Sequence, residues 1–261
     1  MCVRLTHLSQ YGWQSQDKTC DEKCCYDAWR STFEAGGQKV LVDTSELFNL
    51  GHSEECIGQF MKLAQRDEAY HIVERDNMVF STKYVPGAFR IPPLYPDIVV
   101  NALNASRKRA NMDRIDIYSI DNLPHIGWKA SLEKLCDGLA AAYQTGNVTA
   151  VGTCNFSMDQ IKFVWHYMRR VHFPFSFFEP KRFLLLTILC SQRNIPYVVN
   201  SCDLSLLCMD PLYNGMIEEC RKLGIATIAH SPLANGRLTG KYDHHHPPHG
   251  ERPLVVLPRR C

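Results

Sequence analysis

Two periodicities alternate along this chain. Short runs rich in β-branched and aromatic residues begin near Lys39, Met78, Ile115, Val148, Tyr197 and Ile225. Between them, apolar residues recur at three- and four-residue spacing, the period of a helix with one buried face. Cys25, Ala28, Trp29 and Phe33 mark the first such face, and Cys56, Ile57, Phe60, Met61 and Ala64 the second. Ile98, Val99, Ala102 and Leu103 mark a third, and Leu132, Leu135, Cys136, Leu139 and Tyr143 a fourth. Ile161, Val164 and Trp165 mark a fifth. Start signals accompany two of these helices. Ser53 is placed to cap the second, with Glu54 and Glu55 in its first turn, where carboxylates complement the positive helix end. Ser157 and Gln160 form a capping-box pattern before Ile161.

Strands that alternate with helices predict a parallel sheet. No G-x-G-x-x-G run follows a strand, so a Rossmann fold is unsupported. The other α/β arrangement is a (β/α)8 barrel, whose active site forms where the strands end. Just past the expected strand ends sit Asp43, Lys83, Asp121, Cys154 with Asn155, Ser201, and His230. Such groups would converge at a barrel mouth. Polar residues also follow strands simply because loops are exposed, so spacing alone leaves both readings open.

Composition narrows the picture. At 261 residues the chain is long enough for one such domain. A net charge of +2 makes no case for a nucleic-acid partner. The opening MCVRLTHLSQ is too polar for a signal peptide. The longest apolar run, Phe183 to Cys190, is too short to span a bilayer and follows Lys181 and Arg182. No membrane contact is expected, and the cytoplasm is the expected location. Twelve cysteines without an export signal indicate a reducing compartment and mostly buried free thiols. Cys20, Cys24 and Cys25 have no matching second pair, so the helical-face reading outweighs a metal site. His244, His245, His246 and His249 lie among prolines and read as a disordered tail.

The segment Asp43 to Phe60 reads DTSELFNLGHSEECIGQF. With VFSTKY, MDRIDIYSID, DGLAAAYQTGNVTAVGTCNFSMDQI and IAHSPLANGRLTGKY, it resembles the aldo-keto reductase superfamily, in particular its pyridoxal-reductase-like or auxin-induced branch. The similarity runs from about Tyr11 to Tyr242 in family order. It implies a (β/α)8 barrel that binds NADPH in extended form at the strand ends and reduces a small aldehyde or ketone. It also implies residue roles. Asp43 matches the family's aspartate and Lys83 its lysine. Phe48 stands where the family has the tyrosine that protonates the carbonyl oxygen, and Asp121 where it has a histidine. Asn155 matches the asparagine that holds the nicotinamide carboxamide, with Cys154 in place of a serine and Ser201 in place of a glutamine. His230 replaces a tyrosine that stacks on the nicotinamide; Ser231 and Leu233 follow in the cofactor-binding segment.

Phe48 has no hydroxyl, and losing a positioned general acid costs roughly 10²–10⁴ in rate. A carboxyl group in an apolar pocket has a raised pKa and can donate a proton, which makes Asp121 a substitute. Lys83 nearby favours the charged carboxylate and opposes that rescue. Alternatively, Lys83, Asp43 and Asp121 form a residual ion-pair network without chemistry. His125 reads as a loop residue that could also stand in for the lost histidine.

The spacing breaks once. Val148 to Tyr197 exceeds the other strand intervals, and the excess lies near Val171 to Ser191, an aromatic and apolar segment. It reads as an insertion: a self-association surface, a substrate lid, or non-coding sequence retained in the message. After LTGKY the family continues through an eighth strand and a loop that grips the cofactor's 2′-phosphate. Here DHHHPPHGERPLVVLPRRC follows, so the 2′-phosphate site is expected to be missing and Arg252, Arg259 and Arg260 to be solvated. The expected organisation is a barrel-like domain over 1–242, incomplete at its C-terminus, and a divergent tail over 243–261. The expected function is carbonyl reduction with weak or lost activity. The alternative is a non-catalytic barrel that binds a nucleotide or a protein. The loop after Lys83, YVPGAFRIPPLYP, does not identify a substrate.

Overall fold

The computed structural model describes residues 22–36, 39–66, 73–86, 96–122, 131–169, 194–234, 237–240, 242 and 245. Its elements alternate as the periodicities require. They are α1 (Glu22–Gly36), β1 (Val40–Asp43), α2 (His52–Ala64), β2 (Met78–Tyr84) and α3 (Asp97–Ala110). There follow β3 (Ile115–Asp121), α4 (Leu132–Gln144), β4 (Val148–Cys154), α5 (Met158–Arg169) and β5 (Tyr197–Asp203). The short helices α6 (Asp210–Tyr213) and α7 (Met216–Lys222) lead to β6 (Ala226–His230). Four strands begin at the expected residue; β1 and β6 begin one residue later than expected.

All six strands are parallel and lie in chain order from β1 to β6. Each neighbour is reached through a helical connection, as parallel pairing demands. Because every strand runs the same way, every strand C-terminus lies at one end of the sheet. That end carries Asp43, Lys83, Asp121, Cys154, Ser201 and His230. The register aligns them: Lys83 pairs with Ser119, Asp121 with Cys154, Cys154 with Ser201, and Asp203 with His230.

The helices bury the faces that their spacing predicts. Cys56, Ile57, Phe60, Met61 and Ala64 of α2 are all buried, as are Val99, Ala102 and Leu103 of α3. Leu135, Cys136 and Leu139 of α4 are buried, with Leu132 and Tyr143 at the margin of the core. In α1, Cys25, Trp29 and Phe33 are buried, but Ala28 is exposed. The stripe there is narrower than the sequence suggests, because α1 packs through rings. Trp29 stands 4.9 Å from Phe33 and 5.5 Å from Phe60, and Tyr26 stands 5.8 Å from Phe60. Such ring pairs each add about 0.5–1.5 kcal/mol beyond the area they bury. α2 and α3 approach closely at Gly58, where a Cβ would lie 2.8 Å from the Ala110 carbonyl oxygen.

One helix start differs from expectation. The residue before α2 is Gly51, at φ 93°, and Ser53 lies inside the helix. The Ser53 hydroxyl is buried and accepts from Thr44 Oγ1 at 2.9 Å, so it ties the helix to β1 instead of capping it. The capping box of α5 forms as predicted: the Ser157 N–H donates to Gln160 Oε1 at 2.9 Å and the Gln160 N–H to Ser157 Oγ at 3.4 Å. Among the described residues no helix is long and apolar enough to cross a membrane. The expectations for Cys20, His125, the proline-rich loop, the 171–191 segment and the 243–261 tail fall on residues outside the described set, His245 excepted.

Candidate active site

β1 and β2 supply the first half of the mouth. Lys83 Nζ donates to both carboxylate oxygens of Asp43, each at 2.6 Å, and to the Thr44 carbonyl oxygen at 2.8 Å. An ammonium has three donors, so all of them are engaged. Ser81 adds a bond from its hydroxyl to Asp43 Oδ1 at 2.9 Å. The pair is sealed, with side-chain exposures of 1% for Lys83 and 0% for Asp43. Charges this deep persist only where their hydrogen bonds are made, and here they are.

Phe48 opens a short turn, Phe48–Gly51, that joins β1 to α2. Its ring centroid lies 6.0 Å from Lys83 Nζ, so the aromatic side chain faces the ion pair without a polar contact. The turn runs through three consecutive left-handed residues, Asn49 (φ 49°), Leu50 (φ 56°) and Gly51 (φ 93°). Only the last is glycine, and it has a second reason to be one. A Cβ on Gly51 would meet Arg109 Cδ at 2.7 Å. The Arg109 stem therefore passes directly against the turn that carries Phe48.

β3, β4, β5 and β6 supply the other half. Asp121 is buried, and its Oδ1 accepts from Asn155 Nδ2 at 2.8 Å. Burial pushes the Asp121 carboxyl above its usual range; Lys83, the Asn155 amide, His230 and Cys154 oppose the shift without cancelling it. Lys83 favours the charged form, as the sequence suggests, while its donors go to Asp43 and Thr44; desolvation is the larger influence. Within the group Lys83, Asp43 and Asp121, Lys83 hydrogen-bonds Asp43, and Asp121 feels the Lys83 charge.

Asn155 is held at φ 61°, and its N–H donates to the Ser201 carbonyl oxygen at 2.8 Å. Cys154 is buried beneath it. The Ser201 hydroxyl takes part in no hydrogen bond among the described residues. His230 Nδ1 lies 2.9 Å from Asp203 Oδ1 and 3.0 Å from Ser231 Oγ. Both contacts fall on one nitrogen, so Asp203, His230 and Ser231 do not form a relay through the ring. Leu233 is 53% exposed and joins none of these contacts.

Two features escape the sequence reading. Asp203 ends β5 two residues after Ser201 and obeys the same strand-end rule, which was the available signal. Glu54 looks like a first-turn acid, yet it is fully buried. It accepts from Thr82 Oγ1 and from Arg109 Nε, each at 2.6 Å, which fixes α2 to β2 and α3. A single sequence shows nothing that separates it from its exposed neighbour Glu55. Cys25, Cys56, Cys136, Cys154, Cys202 and Cys220 are buried and Cys208 is half-buried, and none of the seven is in a disulfide.

Comparison with known proteins gives the same arrangement a lineage. The chain is 28% identical over 231 residues to the chloroplastic pyridoxal reductase of Arabidopsis thaliana, covering 84% of this chain and 54% of that protein. It is 24% identical over 207 residues to an NADP(+) aldo-keto reductase of Schizosaccharomyces pombe, covering 77% and 50%. The chain thus spans about half the length of these curated relatives. Among solved structures, a Bombyx mori aldo-keto reductase in complex with NADP superposes with a TM-score of 0.59 at 23% identity, covering 88% of this chain and 62% of that one. A glycerol dehydrogenase of Gluconobacter oxydans gives 0.65 at 16% identity, covering 97% and 65%. These likenesses establish the fold, with the six parallel strands supplying part of a (β/α)8 barrel. The model of the aldo/keto reductase family matches residues 9–257, nearly the whole length, and the chain belongs to that family.

Proposed function

We propose that this chain is a nicotinamide-dependent carbonyl reductase whose proton transfer is strongly slowed, with Asp121 as its remaining acid. The observation that carries the reading is the Lys83 site. Its three donors are closed onto Asp43 and Thr44, and the side chain facing it, Phe48, has no hydroxyl to activate. The loss costs about 10²–10⁴ in rate.

The described residues fit the nicotinamide end of NADPH. The Asn155 amide and the Ser201 hydroxyl stand on adjacent strand ends, and the Ser201 hydroxyl has no hydrogen-bond partner among the described residues. They would hold the carboxamide, while His230, fixed through Nδ1 by Asp203, would bound the ring. Bound NADPH supplies the reducing equivalent for an aldehyde or ketone carbon. Asp121 supplies the proton: its carboxyl is raised by burial and oriented by Asn155, so its neutral form persists to higher pH than that of an exposed aspartate. The 2′-phosphate end, expected to be missing, lies outside the described residues. Seven described cysteines outside any disulfide support placement in a reducing compartment, which we assign to the cytoplasm.

NADPH binding to the purified chain, read by quenching of tryptophan fluorescence, tests the cofactor half of this reading. Steady-state reduction of a small aldehyde by Phe48→Tyr tests the other half. Micromolar binding with a rise of about 10² or more in the variant supports it. Binding without a rise turns the chain into a non-catalytic nucleotide-binding barrel. No binding by a cooperatively folding protein removes the reductase reading.

A further inference from the structure

We infer that the end of the barrel opposite the catalytic mouth carries a second binding site, for a small multiply charged anion of the phosphate type. A cleft of about 830 Å³ opens there, large enough for a drug-sized molecule. Its position follows from the topology. It is walled by the last turns of α2 and α3 and by the segments that enter β2 and β3, and in a parallel sheet those lie away from the strand ends that carry Lys83 and Asp121.

The lining is cationic. Lys62, Arg107, Lys108 and Arg114 face two carboxylates, Asp76 and Asp113, while Gln65, Asn104 and Asn111 add amides over a floor of Met61 and Met112. Arg75 also lines the cleft, but it is committed elsewhere. It pairs with Asp116 at 2.7 Å, and its guanidinium donates to the Met78 and Arg114 carbonyl oxygens. That commitment fixes the two entering segments against each other and gives the cleft a rigid wall. By contrast, Lys62, Lys108 and Arg114 enter no ion pair among the described residues. Arg107 donates through one nitrogen to Asn104 at 3.2 Å, and its Nε is buried with no hydrogen-bond partner. A buried donor without a partner costs free energy, and an anion or ordered water is the usual resolution.

Basic residues also gather at helix C-termini because they offset the negative end of the helix dipole. Two helix ends remove about one unit of positive charge here, roughly half a unit each. The lining cations exceed the lining acids by more than that, and the Asn111 N–H already satisfies the Arg107 and Lys108 carbonyl oxygens. The surplus is left for a ligand. Guanidinium, ammonium and amide donors around one space suit the several oxygens of a phosphate group better than a single carboxylate.

Isothermal titration of the full chain with inorganic tripolyphosphate at low ionic strength tests the site, with citrate as a carboxylate probe of similar charge. The expected result is saturable binding with a Kd below about 1 mM, weakened about tenfold in Arg107→Gln and in Lys108→Gln, the latter at an exposed residue. Lys23→Gln, on α1 outside the cleft, removes the same charge and is expected to change the Kd less than about twofold. Equal losses in all three variants would reduce the effect to net charge and overturn the proposal. So would equal affinity for citrate, or no saturable binding. Losses confined to the cleft variants would uphold it whether or not NADPH binds at the mouth.

Discussion

Lys83 and Asp43 meet in a symmetrical contact, with the ammonium 2.6 Å from each carboxylate oxygen and both side chains sealed from water. They come from adjacent strands, β1 and β2, near the end of each. The contact therefore does two things: it closes the first strand pair at the mouth, and it takes up the lysine beside Phe48. Removing one partner strands the other charge in the interior, where a broken buried pair costs about 3–5 kcal/mol. Asp43→Asn is expected to lower unfolding free energy by that amount in urea melts. Replacing both residues, as in Asp43→Leu with Lys83→Met, is expected to cost less than either single change, because no charge is left unpaired. A loss below about 1 kcal/mol for Asp43→Asn would show that the pair does not carry the mouth.

Asp121 gives a pH signature of the opposite sense from a salt-bridged acid. Its carboxyl is raised above the ordinary aspartate value of 3.8, so the folded state holds its proton more tightly than the unfolded state. Below 3.8 both states are protonated and no cost arises. As pH rises through the folded value, ionisation in the buried site destabilises the fold. Asp121→Asn keeps the shape and removes the titration. Melting temperatures should therefore favour the variant at pH 8, with the advantage shrinking steadily toward pH 4. A wild-type protein that is the more stable at pH 8 would contradict the raised carboxyl.

How much of this site could be read from sequence follows from what each residue type announces. Strand starts were legible because hydrophobic period and burial coincide in a parallel sheet, and the polar residues at strand ends were legible as a rule of position. The pairing within the mouth was not. Asp121 and Asp43 are both acids at strand ends near one lysine, and only the fold shows that Lys83 spends every donor on Asp43 and Thr44. Asp203 went unassigned because its role is to hold His230, a residue that itself departs from the family pattern. Ser53 differs for a similar reason: a serine near a helix start suggests a cap, whereas Gly51 precedes the helix and frees the hydroxyl for Thr44.

The close approach of α2 to α3 gives a steric prediction. A Cβ at Gly58 would stand 2.8 Å from the Ala110 carbonyl oxygen, which is backbone and cannot rotate away. Gly58→Ala removes the helical penalty of glycine, about 0.5–1 kcal/mol, but forces the two helices apart. Overpacking of this kind costs about 1–3 kcal/mol, so the expected net effect is a loss of stability in denaturant titration. An unchanged or raised midpoint would mean that the helix pair yields by several tenths of an ångström at little cost.

The Glu54–Arg109 pair ties the same two helices to the turn beneath Phe48, and its removal has a pH dependence that can be worked out. Glu54 is fully buried, and desolvation raises its carboxyl above the ordinary glutamate value of 4.5; Arg109 is the largest influence pulling it back. Arg109→Met deletes that opposing charge while keeping much of the aliphatic stem that packs over Gly51. The folded-state pKa then rises further, so the ionised form is penalised more strongly than in the wild type. A lost hydrogen bond to a charged group costs about 1.5–3 kcal/mol, and the partial exposure of Arg109 places the expected loss at the low end of that range at pH 8. The loss should shrink as pH falls and Glu54 takes up its proton in the folded state of both proteins. Urea melts of the two proteins at pH 8, 6.5 and 5 measure it directly. A pH-independent loss would assign the effect to packing of the arginine stem; a loss that grows at low pH would mean that Glu54 is not the group left exposed to desolvation.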